Sequence, residues 1–237
     1  MTEPTLTPLA LVMALGWYGV FLLSTCMHEA AHAWAAWKMG DPTGWRGGQV
    51  TLNPWPHMRR SPFGMVVAPL ASFFMAQGAW MFGWASTPYD PRWALERPRR
   101  AALMALAGPA ANLILVLASG LALKIGLRSG YFLPTFFRGA ALVATGPSGS
   151  VAQALAAILS IFFLLNLILM AFNLMPVPPL DGSSALVLAL PARVINPYLA
   201  FTRQPGMWFM GIMVAWNMFP RFFAEYVLAP AMQWLYS

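Results

Sequence analysis

GAALVATGPSGSVAQALAAILSIFFLLNLILMAFNLMPVPPL, residues 139–180, runs without a single Lys, Arg, Asp or Glu. That is about twice the roughly 20 residues a helix needs to cross a hydrocarbon core. Residues 4–27, 61–89 and 101–123 are also free of charge, and each is long enough to span. Runs of this kind decide the fold class: an all-α polytopic membrane protein, because in lipid every backbone N–H and C=O must find its partner inside the protein. The 237-residue chain is 59% hydrophobic and 9% charged, with a mean hydropathy of +0.62, so a water-soluble globule is excluded. Fourteen Lys and Arg against seven Asp and Glu give a net charge of +7. On a chain this apolar, that excess orients loops at the face of a lipid bilayer, and the reading is against nucleic acid as a partner.

Apolar runs and breakers predict helices at about residues 7–38, 101–124, 151–174 and 206–235. The first stops at Gly40-Asp41-Pro42. Residues 43–62 carry the β-prone run Gln49-Val50-Thr51-Leu52 beside two glycines and read as a small membrane-associated β-hairpin or loop. Residues 63–86 are apolar but interrupted by Pro69, Gly78 and Gly83, and 124–150 reads as a looser connection. No Lys or Arg precedes Lys38 and Glu3 stands near the start, so the first apolar segment is expected to be retained rather than cleaved as a signal. Cys26 is the one cysteine, which rules out an intramolecular disulfide and a cysteine zinc cluster. The expectation is one integral-membrane domain over residues 1–237, with a core at about 7–190 and a C-terminal helix at about 206–235.

Ionisable side chains inside a bilayer segment cost about 2.5–3.5 kcal/mol for a central Asp, so they need a partner or a function. Three fall within five residues here: His28-Glu29-Ala30-Ala31-His32. Histidines at i and i+4 share one helical face and are spaced to bind one Zn²⁺, with Glu29 beside them as a general base. A tetrahedral catalytic zinc needs a third protein ligand and an open position. Of the three aspartates, Asp41 and Asp90 fall in predicted loops, whereas Asp181 ends the proline-broken apolar run and is the expected third ligand. His57 competes for that role, although a loop or supporting position suits it better.

These residues are similar to a known family. His28-Glu29-Ala-Ala-His32, Gly108-Pro109-Ala-Ala-Asn112 and Asn173-x-x-Pro176-x-x-x-x-Asp181-Gly182 resemble the site-2 protease family of intramembrane zinc metalloproteases. Gly40-Asp41-Pro42-Thr43, followed by Thr51-Leu52-Asn53-Pro54 and His57, is similar to the compact subgroup without PDZ or CBS domains. The resemblance implies one zinc per chain on His28, His32 and Asp181, with Glu29 as general base and Asn173 assisting substrate or oxyanion binding. It implies hydrolysis of a peptide bond in or near a transmembrane segment of another protein, and a multi-pass place in a prokaryotic plasma membrane. Asn112 is read either as helping to position this core or as an interhelical hydrogen-bonding residue. A membrane metal transporter or channel using the same His/Glu/Asp cluster is the alternative.

Topology adds a constraint. His28, His32 and Asp181 all lie toward the C-terminal ends of their helices, so the first helix and the helix at 151–174 must point the same way, with an odd number of crossings between them. Two apolar segments intervene. Residues 63–86 are broken and flanked by arginines on both sides, Arg59 and Arg60 before and Arg92 to Arg100 after. The expectation is therefore a re-entrant segment there, about four full transmembrane helices, an outside N-terminus and a site near the cytoplasmic face. Lys124, Arg128 and Arg138 fall on the opposite side, against the rule.

Overall fold

The computed structural model describes residues 8–135 and 142–237. Helix α1 (Pro8–Lys38) fills the first expected segment; residue 7, where that expectation began, lies outside the described residues. Past its end Asp41 is buried and accepts hydrogen bonds from Thr43 N at 2.9 Å, Thr43 Oγ1 at 2.5 Å and Asp90 N at 2.8 Å. A buried carboxylate needs such donors, and these tie the end of α1 to residue 90.

Of the β-hairpin or loop expected at 43–62, no hairpin forms: residues 47–53, which carry the β-prone run, are a loop between two short helices, α2 (Thr43–Arg46) and α3 (Pro54–Arg60). The β-prone run at 49–52 has no strand beside it among the described residues, and an isolated strand leaves its backbone groups unpaired. Local chemistry starts a helix instead: the Asn53 side chain accepts from Trp55 N at 3.0 Å as N-cap, and Pro54 occupies the first turn.

Residues 63–86 leave one end of the molecule and return to it. A π turn (Phe63–Val67) leads into α4 (Ala68–Met75), together about 20 Å long at 1.5 Å per residue. The chain reverses at Gly78, whose φ of 82° suits glycine, and comes back extended. Phe82 N donates to Ser72 Oγ at 2.8 Å, Trp84 N to the Gly64 carbonyl at 3.0 Å, and Arg60 Nε to the Ser86 carbonyl at 2.9 Å. Residues 60 and 86 are thus neighbours.

After α5 (Pro91–Glu96) comes α6 (Pro98–Arg128), longer at both ends than expected. A two-stranded antiparallel ladder, β1 (Leu133–Pro134) with β2 (Ala144–Thr145), lies within the connection that reads as loose; Arg138 lies outside the described residues. Helix α7 (Val151–Asn173) begins at Ser150, whose hydroxyl accepts from Gln153 N at 3.1 Å. A proline-rich turn follows, then α8 (Asp181–Ala185), α9 (Ala192–Thr202), α10 (Met207–Phe222) and α11 (Ala229–Tyr236), the last two joined by a π turn.

Helix α6 stands between α1 and α7. His32 and His28 of α1 reach Met104 and Asn112 of α6 in that order, so the two helices are antiparallel. Asn112 and Gly120 of α6 meet Asn166 and Phe163 of α7, so these are antiparallel as well. Helices α1 and α7 therefore point the same way, as the placement of the histidines and Asp181 requires. Trp17, Phe21, Phe73, Ile161 and Leu165 form the core between α1, α4 and α7; Leu123, Phe163, Leu164 and Leu235 form that between α6, α7 and α11. The outer face of α6 is apolar and open, with Ile114, Leu117, Leu121 and Ile125 each more than half exposed, as a lipid-facing surface is. Among the described residues, α6 and α7 are long and apolar enough to cross a bilayer.

Candidate metal centre

His28 and His32 project from one face of α1 because four residues advance the helix by just over one turn. Their Nε2 atoms lie 3.0 Å apart. Asp181 Oδ2 is 3.2 Å from the first and 3.3 Å from the second. Asp181 arrives from the far end of the chain at the start of α8, where the turn folds so tightly that a Cβ on Gly182 would sit 2.2 Å from the Leu174 carbonyl oxygen. The next residue must therefore be glycine, which is the physical content of the Asp181-Gly182 pair.

The back of each imidazole is held. His32 Nδ1 donates to the Met104 carbonyl at 2.8 Å, and His28 Nδ1 donates to Asn112 Oδ1 at 2.5 Å. With both Nδ1 protons so placed, neutral rings present bare Nε2 lone pairs to each other and to the carboxylate. Three electron-pair donors facing one point repel unless a cation lies among them.

The donor set fits zinc. Ligands at about 2.0–2.1 Å from a tetrahedral ion stand about 3.3 Å from one another, and the three separations here are 3.0, 3.2 and 3.3 Å. Asp181 Oδ2 is buried and receives no hydrogen bond. Gly108 of α6 leaves the space open: a Cβ there would lie 2.3 Å from His32 Nε2 and 2.5 Å from His28 Nε2. His28, His32 and Asp181 are grouped tightly enough to hold a metal ion.

Glu29 is buried beside the pair, and its Oε2 accepts from the Thr87 hydroxyl at 2.7 Å, a hydroxyl also 2.8 Å from the Glu29 carbonyl. Thr87 lies just past the extended return of the 63–86 excursion, and nothing in its local sequence announces it. His57 is buried elsewhere, with Nε2 donating to the Thr51 carbonyl at 2.9 Å; it closes the loop before α3 and is not grouped with the other two histidines. Asn173 donates its amide to the Leu169 carbonyl of its own helix at 2.9 Å. Asn112 joins both of its readings, bonding His28 and also Asn166 across to α7. A cleft of about 110 Å³ reaches Asp181 from the α5 and α9 side, lined by Met104, Ala105, Ser184, Leu199 and Arg203 among others.

A His/His/Asp cluster packed against α6, which with α7 is long and apolar enough to cross a bilayer, defines a membrane protein with a candidate metal centre. The chain belongs to peptidase family M50, the site-2 protease family, whose model matches residues 18–216. YwhC of Bacillus subtilis, named as a candidate zinc metalloprotease, is 37% identical over 164 residues, 68% of this chain and 63% of that protein. Rip2 of Mycolicibacterium smegmatis and Rip2 of Mycobacterium tuberculosis, named likewise, are 29% and 32% identical; each match covers 74% of this chain and 60% of the relative. The chain thus spans about three-fifths of the length of these relatives. No solved structure matches it.

Proposed function

We propose that this chain is an intramembrane zinc metalloendopeptidase that hydrolyses peptide bonds in or near transmembrane segments of other membrane proteins, as in regulated intramembrane proteolysis. The observation that carries this reading is the trio of donor atoms 3.0 to 3.3 Å apart on His28, His32 and Asp181. These three residues hold one zinc per chain. When bound, the metal polarises a substrate carbonyl and lowers the pKa of water toward about 7. Glu29 takes a proton from the attacking water and returns it to the leaving nitrogen. Asn173 assists at the substrate or oxyanion; the cleft beside Asp181 admits water.

The membrane reading follows the same geometry. Helices α1, α6, α7 and the α10–α11 pair are the four spans, 63–86 is re-entrant, and the core at about 7–190 with its C-terminal helix is one domain. Arg59, Arg60, Arg92, Arg97, Arg99 and Arg100 lie where that excursion begins and ends, which supports a cytoplasmic zinc end by the positive-inside rule; the prokaryotic plasma membrane is proposed from the family resemblance alone.

Metal analysis of the purified protein, paired with cleavage of a model transmembrane peptide, tests the proposal. Wild type is expected to carry one zinc and Asp181→Ala to bind it at least about 100-fold more weakly, a loss at or above that of a supporting residue. Wild-type protein that takes up no zinc ends the reading. Thr87→Val keeps the shape and removes the hydroxyl that orients Glu29. A hydrogen bond to a charged group contributes about 1.5–3 kcal/mol, so kcat is expected to fall about tenfold or more at unchanged zinc content, with Thr87→Ser close to wild type. Equal rates for the Val and Ser variants would remove this role.

A further inference from the structure

Behind His28 runs a chain of buried amides. Asn112 Oδ1 accepts from His28 Nδ1, Asn112 Nδ2 donates to Asn166 Oδ1 at 2.8 Å, and Asn166 Nδ2 donates to the Phe162 carbonyl at 2.8 Å and to Ser24 Oγ at 2.9 Å. Asn112, Asn166 and Ser24 are all fully buried. A backbone carbonyl only accepts, so Phe162 O fixes which end of the Asn166 amide faces it. That choice turns Asn166 Oδ1 toward Asn112, which turns Asn112 Oδ1 toward His28, which places the imidazole proton on Nδ1 and leaves Nε2 bare.

The geometry points to Asn166 as a positioning residue for zinc: acting through Asn112, it sets the tautomer of His28 that the metal requires. This rests on the zinc reading above. Without an acceptor at 166, the Asn112 amide is free to turn its NH₂ toward His28. The imidazole then carries its proton on Nε2, where a metal would bind.

Zinc affinity measured by chelator competition on purified protein tests this directly. Asn166→Leu is expected to weaken zinc binding about 10- to 100-fold, the range of supporting residues around metal ligands, and to alter the visible spectrum of the cobalt-loaded protein. Asn166→Asp, which offers Asn112 an acceptor in either protonation state, should stay within a fewfold of wild type. The double variant Asn112→Leu/Asn166→Leu should be no weaker than Asn112→Leu alone, because both act on one chain of bonds. Ser160→Ala, a buried hydroxyl of α7 that bonds Ala156 and residues 143–144 instead, should leave affinity unchanged. Histidine ¹⁵N shifts of the metal-free wild type should report the Nδ1–H form at His28, a measurement that stands even where Asn166→Leu does not fold. Wild-type affinity in Asn166→Leu, additive losses in the double variant, or an Nε2–H His28 would overturn the assignment. Wild type that binds no zinc, or binds it undiminished after His28→Ala, would instead overturn the zinc reading itself.

Discussion

Glu29→Gln is expected to stop cleavage while leaving one zinc on each chain. The two side chains have the same shape, and the Gln carbonyl oxygen still accepts from Thr87, so the group stays where Thr87 holds it. What is lost is the ability to take a proton. General-base catalysis contributes about 10²- to 10⁴-fold, and a water left without its base also forfeits the proton return to the leaving nitrogen, so the fall should sit at the upper end. Cleavage of a transmembrane peptide in detergent, with metal content measured on the same sample, decides it. The variant also separates protease from transporter: a transit site would keep moving metal in liposomes with Gln at 29, and it would show no proteolysis in wild type. Cleavage by Glu29→Gln at more than about a tenth of the wild-type rate, measured against that 10²-fold floor, would falsify the assignment of the base.

Gly108→Ala should be nearly as severe for a different reason. Alanine favours a helix over glycine by about 1 kcal/mol, so by propensity alone the change strengthens α6. Its methyl group, however, would stand 2.3 Å from His32 Nε2 and 2.5 Å from His28 Nε2. Neither ring turns aside cheaply, because Met104 and Asn112 grip the opposite nitrogen of each. The methyl therefore takes the place of the ion or pushes the donors apart. Zinc content close to zero and no measurable cleavage are expected, with the helical circular dichroism of wild type. Wild-type zinc affinity in this variant would show that α6 does not pack against the imidazoles as described.

The long elements were legible because charge-free runs and breakers are strong signals: α1, α7 and the C-terminal helices start and stop within a few residues of their expected limits. Pairing His28 and His32 with Asp181 was legible too, since few ionisable residues exist and a bilayer segment tolerates them only with a purpose. At 43–62 the loop alternative holds for residues 47–53, and the hairpin alternative fails because Val50-Thr51-Leu52 has no strand to pair with among the described residues. Asn53-Pro54, a cap followed by a first-turn proline, was the better signal. The small ladder of β1 and β2 rests on backbone pairing that its side chains do not encode. Asn166 and Thr87 stayed hidden for a different reason. In a helix that is apolar all round, periodicity does not say which neighbour a lone amide faces, and an extended return segment carries no pattern at all.

The donors of the centre come from opposite ends of the sequence: the two histidines from α1, the carboxylate from the turn after α7. A ribosome making this chain at about 5–20 residues per second delivers the imidazoles and the base early, and the third donor only after α6 and α7 have been released. The cluster that could hold a metal therefore cannot close until about three-quarters of the chain has been made, so its assembly depends on α1, α6 and α7 having packed together.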